Sequence, residues 1–106
     1  MWRKVVFGVV IPSFWVLAGT PVKIADPGLE AAIREALGGY EGPLFSELLA
    51  LITHLNAAGY GIENLEGIEY LSNLKTLDLS NNKTRDLSPL QELKNLEELS
   101  INENFV

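Results

Sequence analysis

The sequence predicts an α/β solenoid in which short parallel strands form a concave sheet and a helical cap covers the first coil. Three observations support this fold class. The C-terminal part matches itself at an offset of 22 residues, the repeated unit has L-x-x-L-x-L-x-x-N spacing, and two segments with helix signals precede it. A coil of that size buries its apolar side only by stacking on neighbours, so the unit must belong to an array.

Residues 1–19 have the three parts of a secretory leader. Positive charges at Arg3 and Lys4 precede an apolar stretch over residues 5–17, and the small residues Ala18 and Gly19 follow it. The apolar stretch is shorter than the roughly 20 residues that span a bilayer. We therefore predict a signal peptide, membrane contact only during export, and a secreted or cell-surface protein. An uncleaved anchor or a core strand is the alternative.

Residues 20–50 are predicted to form the helical cap. Asp26 suits the N-cap of a helix, Pro27 its first position, and Gly38 its end. Between them, apolar residues recur at helical spacing: Leu29, Ala32, Ile33, Ala36 and Leu37. A second short helix is predicted at residues 46–50. Without such a cover, the array would expose the core of its first coil.

Residues 51–106 are predicted to hold about two and a half leucine-rich repeats, incomplete at the C-terminal end. Leu77 and Leu79 alternate as strand residues do and should face inward, with the intervening positions facing outward. A short coil leaves room on its return for a tight helical or 3₁₀ turn. Inward asparagines at positions 82 and 104 can hydrogen-bond backbone groups of adjacent coils. The repeated pairs are Leu74 with Leu96, Leu77 with Leu99, Leu79 with Ile101, and Asn82 with Asn104.

Composition excludes several classes of site. The chain has no cysteine, and its only histidine is His54, which argues against a thiol nucleophile, a zinc knuckle and a His-rich metal site. The sequence shows no nucleophile–base pair, phosphate loop or metal cluster, so we predict no catalytic residue, metal or cofactor. The formal net charge of −6 disfavours nucleic acid as a partner and fits a basic or polar protein better, although it could equally serve solubility.

The cap and the repeats resemble those of internalin-type proteins. The resemblance is carried by DPGLEAAIREAL at residues 26–37, by LEGIEYLSNLKTLDLSNN at residues 65–82, and by DLSPL at residues 86–90. Two positions depart from the family pattern. Tyr60 replaces an asparagine in the degenerate first unit, and Thr84 replaces a large aliphatic residue. The Thr84 hydroxyl must find a partner or face water, so we predict a local weak point there.

The resemblance implies a bacterial protein, secreted or displayed at the surface, that binds other proteins through its concave sheet. The chain would then be a non-enzymatic binding module, and it is predicted to be a fragment of a longer repeat protein whose partner the sequence does not identify. The alternatives are an intracellular scaffold or phosphatase-regulator type of repeat protein, or the non-catalytic part of a larger enzyme. The outward positions that would form the binding face are small and polar: His54, Asn56, Thr76, Asp78, Ser80, Glu98, Ser100 and Asn102.

Overall fold

The computed structural model describes residues 20–105 and the backbone of two strands near the N-terminus. These strands, β1 (Arg3–Val6) and β2 (Val9–Pro12), pair antiparallel. The predicted signal peptide covers residues 1–19, and its other residues lie outside the described part of the chain. The leader therefore remains a prediction. Within the described part of the chain, no helix has the length and apolar character needed to cross a membrane.

Two helices form the cap, at the positions that the sequence predicted. Helix α1 (Pro27–Ala36) begins after Asp26, whose Oδ1 accepts two backbone N–H groups of the first turn at 2.9 and 3.1 Å. The helix ends where Gly38 adopts a left-handed φ of 74°, which a residue without a Cβ does at little cost. Helix α2 (Ser46–Leu49) follows after a loop. The apolar stripe of α1 faces the interior, with Leu29, Ala32 and Ile33 buried.

Three short strands form the predicted parallel sheet. They are β3 (His54–Asn56), β4 (Thr76–Asp78) and β5 (Glu98–Ser100), hydrogen-bonded in that order. Each strand lies beside the equivalent residues of the next coil, so that His54 pairs with Thr76 and Thr76 with Glu98. The chain returns between strands through two 3₁₀ helices, Ile68–Tyr70 and Ser88–Glu92. The predicted tight turns are therefore present.

The apolar core runs along the array beneath the sheet and continues under the cap. Leu55 and Leu77 each expose 2% of their surface, whereas the equivalent Leu99 on β5 exposes 41%. The core is therefore closed at the cap and open at the last described coil. Its fully buried large aliphatic residues are Leu29, Ile33, Leu49, Ile62, Leu65, Ile68, Leu71, Leu74, Leu77 and Leu79.

Asp26 also attaches the cap to the first repeat. Its Oδ2 accepts the backbone N–H groups of Glu63 and Asn64 at 2.9 and 3.0 Å. Burial raises the pKa of Asp26, but the four backbone N–H groups that point at the carboxylate lower it by more, and its pKa lies below the usual value. The carboxylate is therefore charged, 8% exposed and well supplied with donors.

Candidate functional site

The parallel register gives the concave side of the sheet two rows of outward side chains. One row consists of His54, Thr76 and Glu98, and the other of Asn56, Asp78 and Ser100. The rows form because successive residues of a strand point to opposite faces, and the leucine between each pair points into the core. Together these six residues and the strand backbone between them line an open groove of about 450 Å³.

The first row contains a direct side-chain contact between coils. His54 Nδ1 lies 2.6 Å from Thr76 Oγ1, a hydrogen bond in which the donor depends on the histidine tautomer. Both groups remain accessible from the groove. His54 is therefore both hydrogen-bonded and exposed in this structure.

In the second row, Asn56 and Asp78 each use one side-chain oxygen to accept a backbone N–H group two residues further on. Asn56 Oδ1 accepts the backbone N–H of Ala58 at 3.2 Å, and Asp78 Oδ1 accepts that of Ser80 at 2.9 Å. These are equivalent turns in successive coils, and each leaves one polar atom of the side chain for a ligand. Asp78 lines the groove, and its Oδ2 has no hydrogen-bond partner among the described residues.

Two of the predicted site residues lie beyond the groove. Ser80 follows the end of β4 and is only 8% exposed, and its hydroxyl hydrogen-bonds that of Ser100 at 2.8 Å. Ser80 therefore offers little accessible surface of its own, and its part in a binding face stays a prediction. Asn102 is exposed, but it follows β5 and does not line the groove. Each strand is three residues long and therefore has two outward positions, one fewer than the predicted surface assumed for the second and third coils.

The predicted inward asparagines hydrogen-bond backbone groups of adjacent coils. Asn82 is 5% exposed, and its Oδ1 accepts the N–H groups of Tyr60 and Ile62 in the preceding coil at 3.1 and 2.9 Å. Its Nδ2 donates to Ala57 O and Leu79 O, both at 2.8 Å. Each strand end is thereby tied to the coil before it.

Asn104 repeats this arrangement one coil further on. Its Oδ1 accepts the Thr84 N–H at 3.1 Å, and its Nδ2 donates to Leu79 O at 2.8 Å. A second asparagine pair was missed by the sequence analysis. Asn73 donates to Ala50 O at 2.8 Å and Asn95 donates to Ser72 O at 3.0 Å. The offset of 22 residues between Asn73 and Asn95 is the signal that could have found this pair.

The groove offers hydrogen bonds and negative charge. Among the nine residues that line it, Asp78 and Glu98 carry carboxylates, and none is lysine or arginine. Within the described ranges, no three histidine, aspartate or glutamate side chains are grouped so that they could hold a metal ion. The arrangement is therefore suited to recognising polar or positively charged groups on another molecule.

Comparison with known proteins agrees with this fold. The family described as Leucine Rich repeats (2 copies) matches residues 72–106. The crystal structure of the internalin inlF from Listeria monocytogenes is similar with a TM-score of 0.75 and 35% identity, over 80% of this chain and 27% of that one. Internalin C2 from the same species is similar with a TM-score of 0.70 and 36% identity, over 74% of this chain and 36% of that one.

Two further matches come from other organisms. A structure of the CBM51-2 and INT domains of ZmpB from Clostridium perfringens has a TM-score of 0.76 and 30% identity, over 92% of this chain and 20% of that one. The uncharacterized protein F09G8.5 of Caenorhabditis elegans is 40% identical over 53 residues, which are 50% of this chain and 12% of that protein.

The repeats and their parallel sheet give the chain a leucine-rich repeat fold, which agrees with these matches. Its 22-residue units and helical cap are similar to those of the two internalins, which confirms the resemblance found in the sequence. The chain spans 12% of the worm protein's length and 27% and 36% of the two internalins.

Proposed function

We propose that this chain is a protein-binding module that uses the groove on its concave sheet, in a protein exported to the cell surface or the medium. The observation that carries the proposal is the register of the three strands, which brings six polar side chains from separate coils into one continuous surface. Internalin-type repeats bind proteins in general, and the same face of this chain remains accessible.

The character of the groove indicates recognition of modest strength. Binding hot spots favour tryptophan, tyrosine and arginine, and none of these lines the groove. Its hydroxyl, amide and carboxylate groups instead offer directional hydrogen bonds to a polar partner. A partner that binds tightly would need additional contacts outside these three strands, because a stable interface takes about 20–30 residues on each side.

Selection of peptides tests whether the groove binds. A random peptide library on phage is selected against the 106-residue chain, and the recovered peptides are compared on two variants. Thr76→Tyr fills the middle of the groove without adding charge, and Gln91→Tyr places the same side chain on an exposed 3₁₀ helix outside it. The proposal expects binding to be lost with Thr76→Tyr and kept with Gln91→Tyr. Peptides that bind both variants equally, or no recovered peptides, would refute it.

The location is tested separately by N-terminal sequencing after expression in a bacterial host. The leader pattern over residues 1–19, and the bacterial internalins among the similar structures, support export. We expect a product in the medium or on the surface whose first residue is Gly19 or Thr20. A product that keeps Met1 and stays in the cytosol would contradict export and favour the intracellular scaffold.

A further inference from the structure

The negative charges of the groove indicate that its partner carries positive charge. Asp78 and Glu98 are the two carboxylates among its lining residues, and they lie on the neighbouring strands β4 and β5. Resting on the function proposed above, we propose that the groove binds an extended peptide segment and holds one of its lysine or arginine side chains between Asp78 and Glu98.

The register sets the separation of the two carboxylates. Asp78 pairs with Ser100 and Thr76 pairs with Glu98, so Asp78 and Glu98 form a diagonal pair. Diagonal neighbours in a sheet lie roughly 7–8 Å apart, within reach of long side chains. One ammonium or guanidinium group between them can make charge-assisted hydrogen bonds of about 2.8 Å to both.

Neither carboxylate is committed to an ion pair. Asp78 uses Oδ1 for the backbone N–H of Ser80, which leaves Oδ2 without a hydrogen-bond partner in the described part of the chain. The side chain of Glu98 has no hydrogen bond or ion pair within residues 20–105, where the one salt bridge joins Arg34 to Glu30 in the cap. Lys75 and Glu97, which directly precede β4 and β5, carry opposite charges, and neither lines the groove. Among the lining residues, the two carboxylates therefore face no lysine or arginine that would neutralise them.

The size of the groove favours an extended segment over a folded domain. Its volume of about 450 Å³ lies within the range of roughly 300–1,000 Å³ that holds small ligands. Thr76, Ser100 and the Nδ2 amide of Asn56 surround the carboxylates with groups that can hydrogen-bond a peptide backbone. A protruding loop or a chain terminus of the partner fits these dimensions.

The test compares two labelled peptides by fluorescence anisotropy. One is an eight-residue peptide of alternating lysine and serine, and its control has glutamine in place of lysine. Asp78→Asn and Glu98→Gln remove the charges one at a time, and Asp78→Asn keeps the turn because Asn56 makes the same bond in the preceding coil. Glu66→Gln and Glu92→Gln are matched variants at exposed carboxylates outside the groove.

We expect the lysine peptide to bind more tightly than the glutamine peptide, and more weakly as salt rises from 50 to 300 mM. Each groove variant should weaken its binding by about two- to fivefold, in line with partly exposed ion pairs. The double groove variant should bind the two peptides equally, and the two matched variants should bind as the unmodified chain does.

The outcomes separate this inference from the proposed function. If both peptides bind with equal affinity and Thr76→Tyr abolishes both, the groove binds peptides and the preference for positive charge is overturned. If Thr76→Tyr leaves the binding of both unchanged, the proposed function fails as well. Failure of the lysine peptide to bind, while library peptides without lysine or arginine bind the groove, also overturns the inference.

Discussion

Asp26 precedes Asn64 by 38 residues, and its Oδ2 accepts the Asn64 backbone N–H at 3.0 Å. The same oxygen accepts the Glu63 N–H at 2.9 Å, while Oδ1 caps helix α1. One side chain therefore begins the cap helix and attaches it to the first repeat. Residues that connect two elements in this way should contribute to the stability of both.

Asp26→Ala is expected to lower the free energy of unfolding by about 2–4 kcal/mol, because it removes a helix cap and leaves two further, partly buried N–H groups without their acceptor. Urea denaturation followed by circular dichroism measures the change. Glu35→Ala, at an exposed position of the same helix, is the control and should change stability by less than about 0.5 kcal/mol. Equal effects of the two substitutions would contradict the connecting role of Asp26.

The same carboxylate predicts a loss of stability in acid. The pKa of Asp26 is lower in the folded state, so its contribution is complete above the unfolded-state value of about 3.9 and disappears as pH falls through the folded-state pKa. The difference in unfolding free energy between the unmodified chain and Asp26→Asn should be constant from about pH 7 to 5 and shrink below about pH 4. Urea denaturation at each pH measures it, and a difference that does not change with pH would contradict the prediction.

Asn82 and Asn104 occupy equivalent positions with different burial. Asn82 is 5% exposed and bonds to five backbone groups, whereas Asn104 is only partly buried in the open last coil. We expect Asn82→Ala to cost about 2–4 kcal/mol and Asn104→Ala about half as much, since water can reach the backbone groups that Asn104 leaves. Thermal and urea unfolding of the two variants compare them. A larger loss at Asn104 would show that burial does not set the cost.

One backbone position is left-handed in all three coils. Gly59, Asn81 and Glu103 have φ values of 74°, 61° and 59°, and they are spaced at the repeat length. A side chain with a Cβ is strained in this conformation by roughly 1 kcal/mol or more. Glu103→Gly should therefore stabilise the chain by up to about 1 kcal/mol, and Gly59→Ala should destabilise it by a similar amount. Unfolding free energies of both variants test the pair, and the same sign for both would contradict the argument.

Thr84 has found a partner, since its buried hydroxyl donates to Ile62 O at 3.1 Å. Ile62 O also accepts the Lys83 N–H at 2.9 Å, so it keeps a donor when the hydroxyl is removed. Thr84→Val should then be neutral or stabilise by up to about 1 kcal/mol, because a methyl group replaces a buried hydroxyl. Urea denaturation measures the change. A loss above about 1 kcal/mol would show that the hydroxyl is needed, and the predicted weak point would be wrong.

The repeat and the cap were predictable because their signals are local. The L-x-x-L-x-L-x-x-N spacing indicates which leucines face inward, and Asp26 with Pro27 marks a helix start within two residues. The groove was less predictable. Ser80 was expected to belong to the accessible surface, but the strand ends at Asp78 and Ser80 is only 8% exposed. Where a strand ends depends on the neighbouring coil, which the alternation of residue types along one strand does not reveal.

By itself, the sequence determined the period of the array, the inward leucines, the helical cap and the polar character of the concave side. The tertiary structure decided which atoms meet between coils: the second oxygen of Asp26 on the first repeat, the His54–Thr76 bond, and the placement of Asp78 diagonally from Glu98. Periodic signals arise from burial along a single coil. Contacts between coils depend on strand register and side-chain direction, which are set only when the coils are stacked.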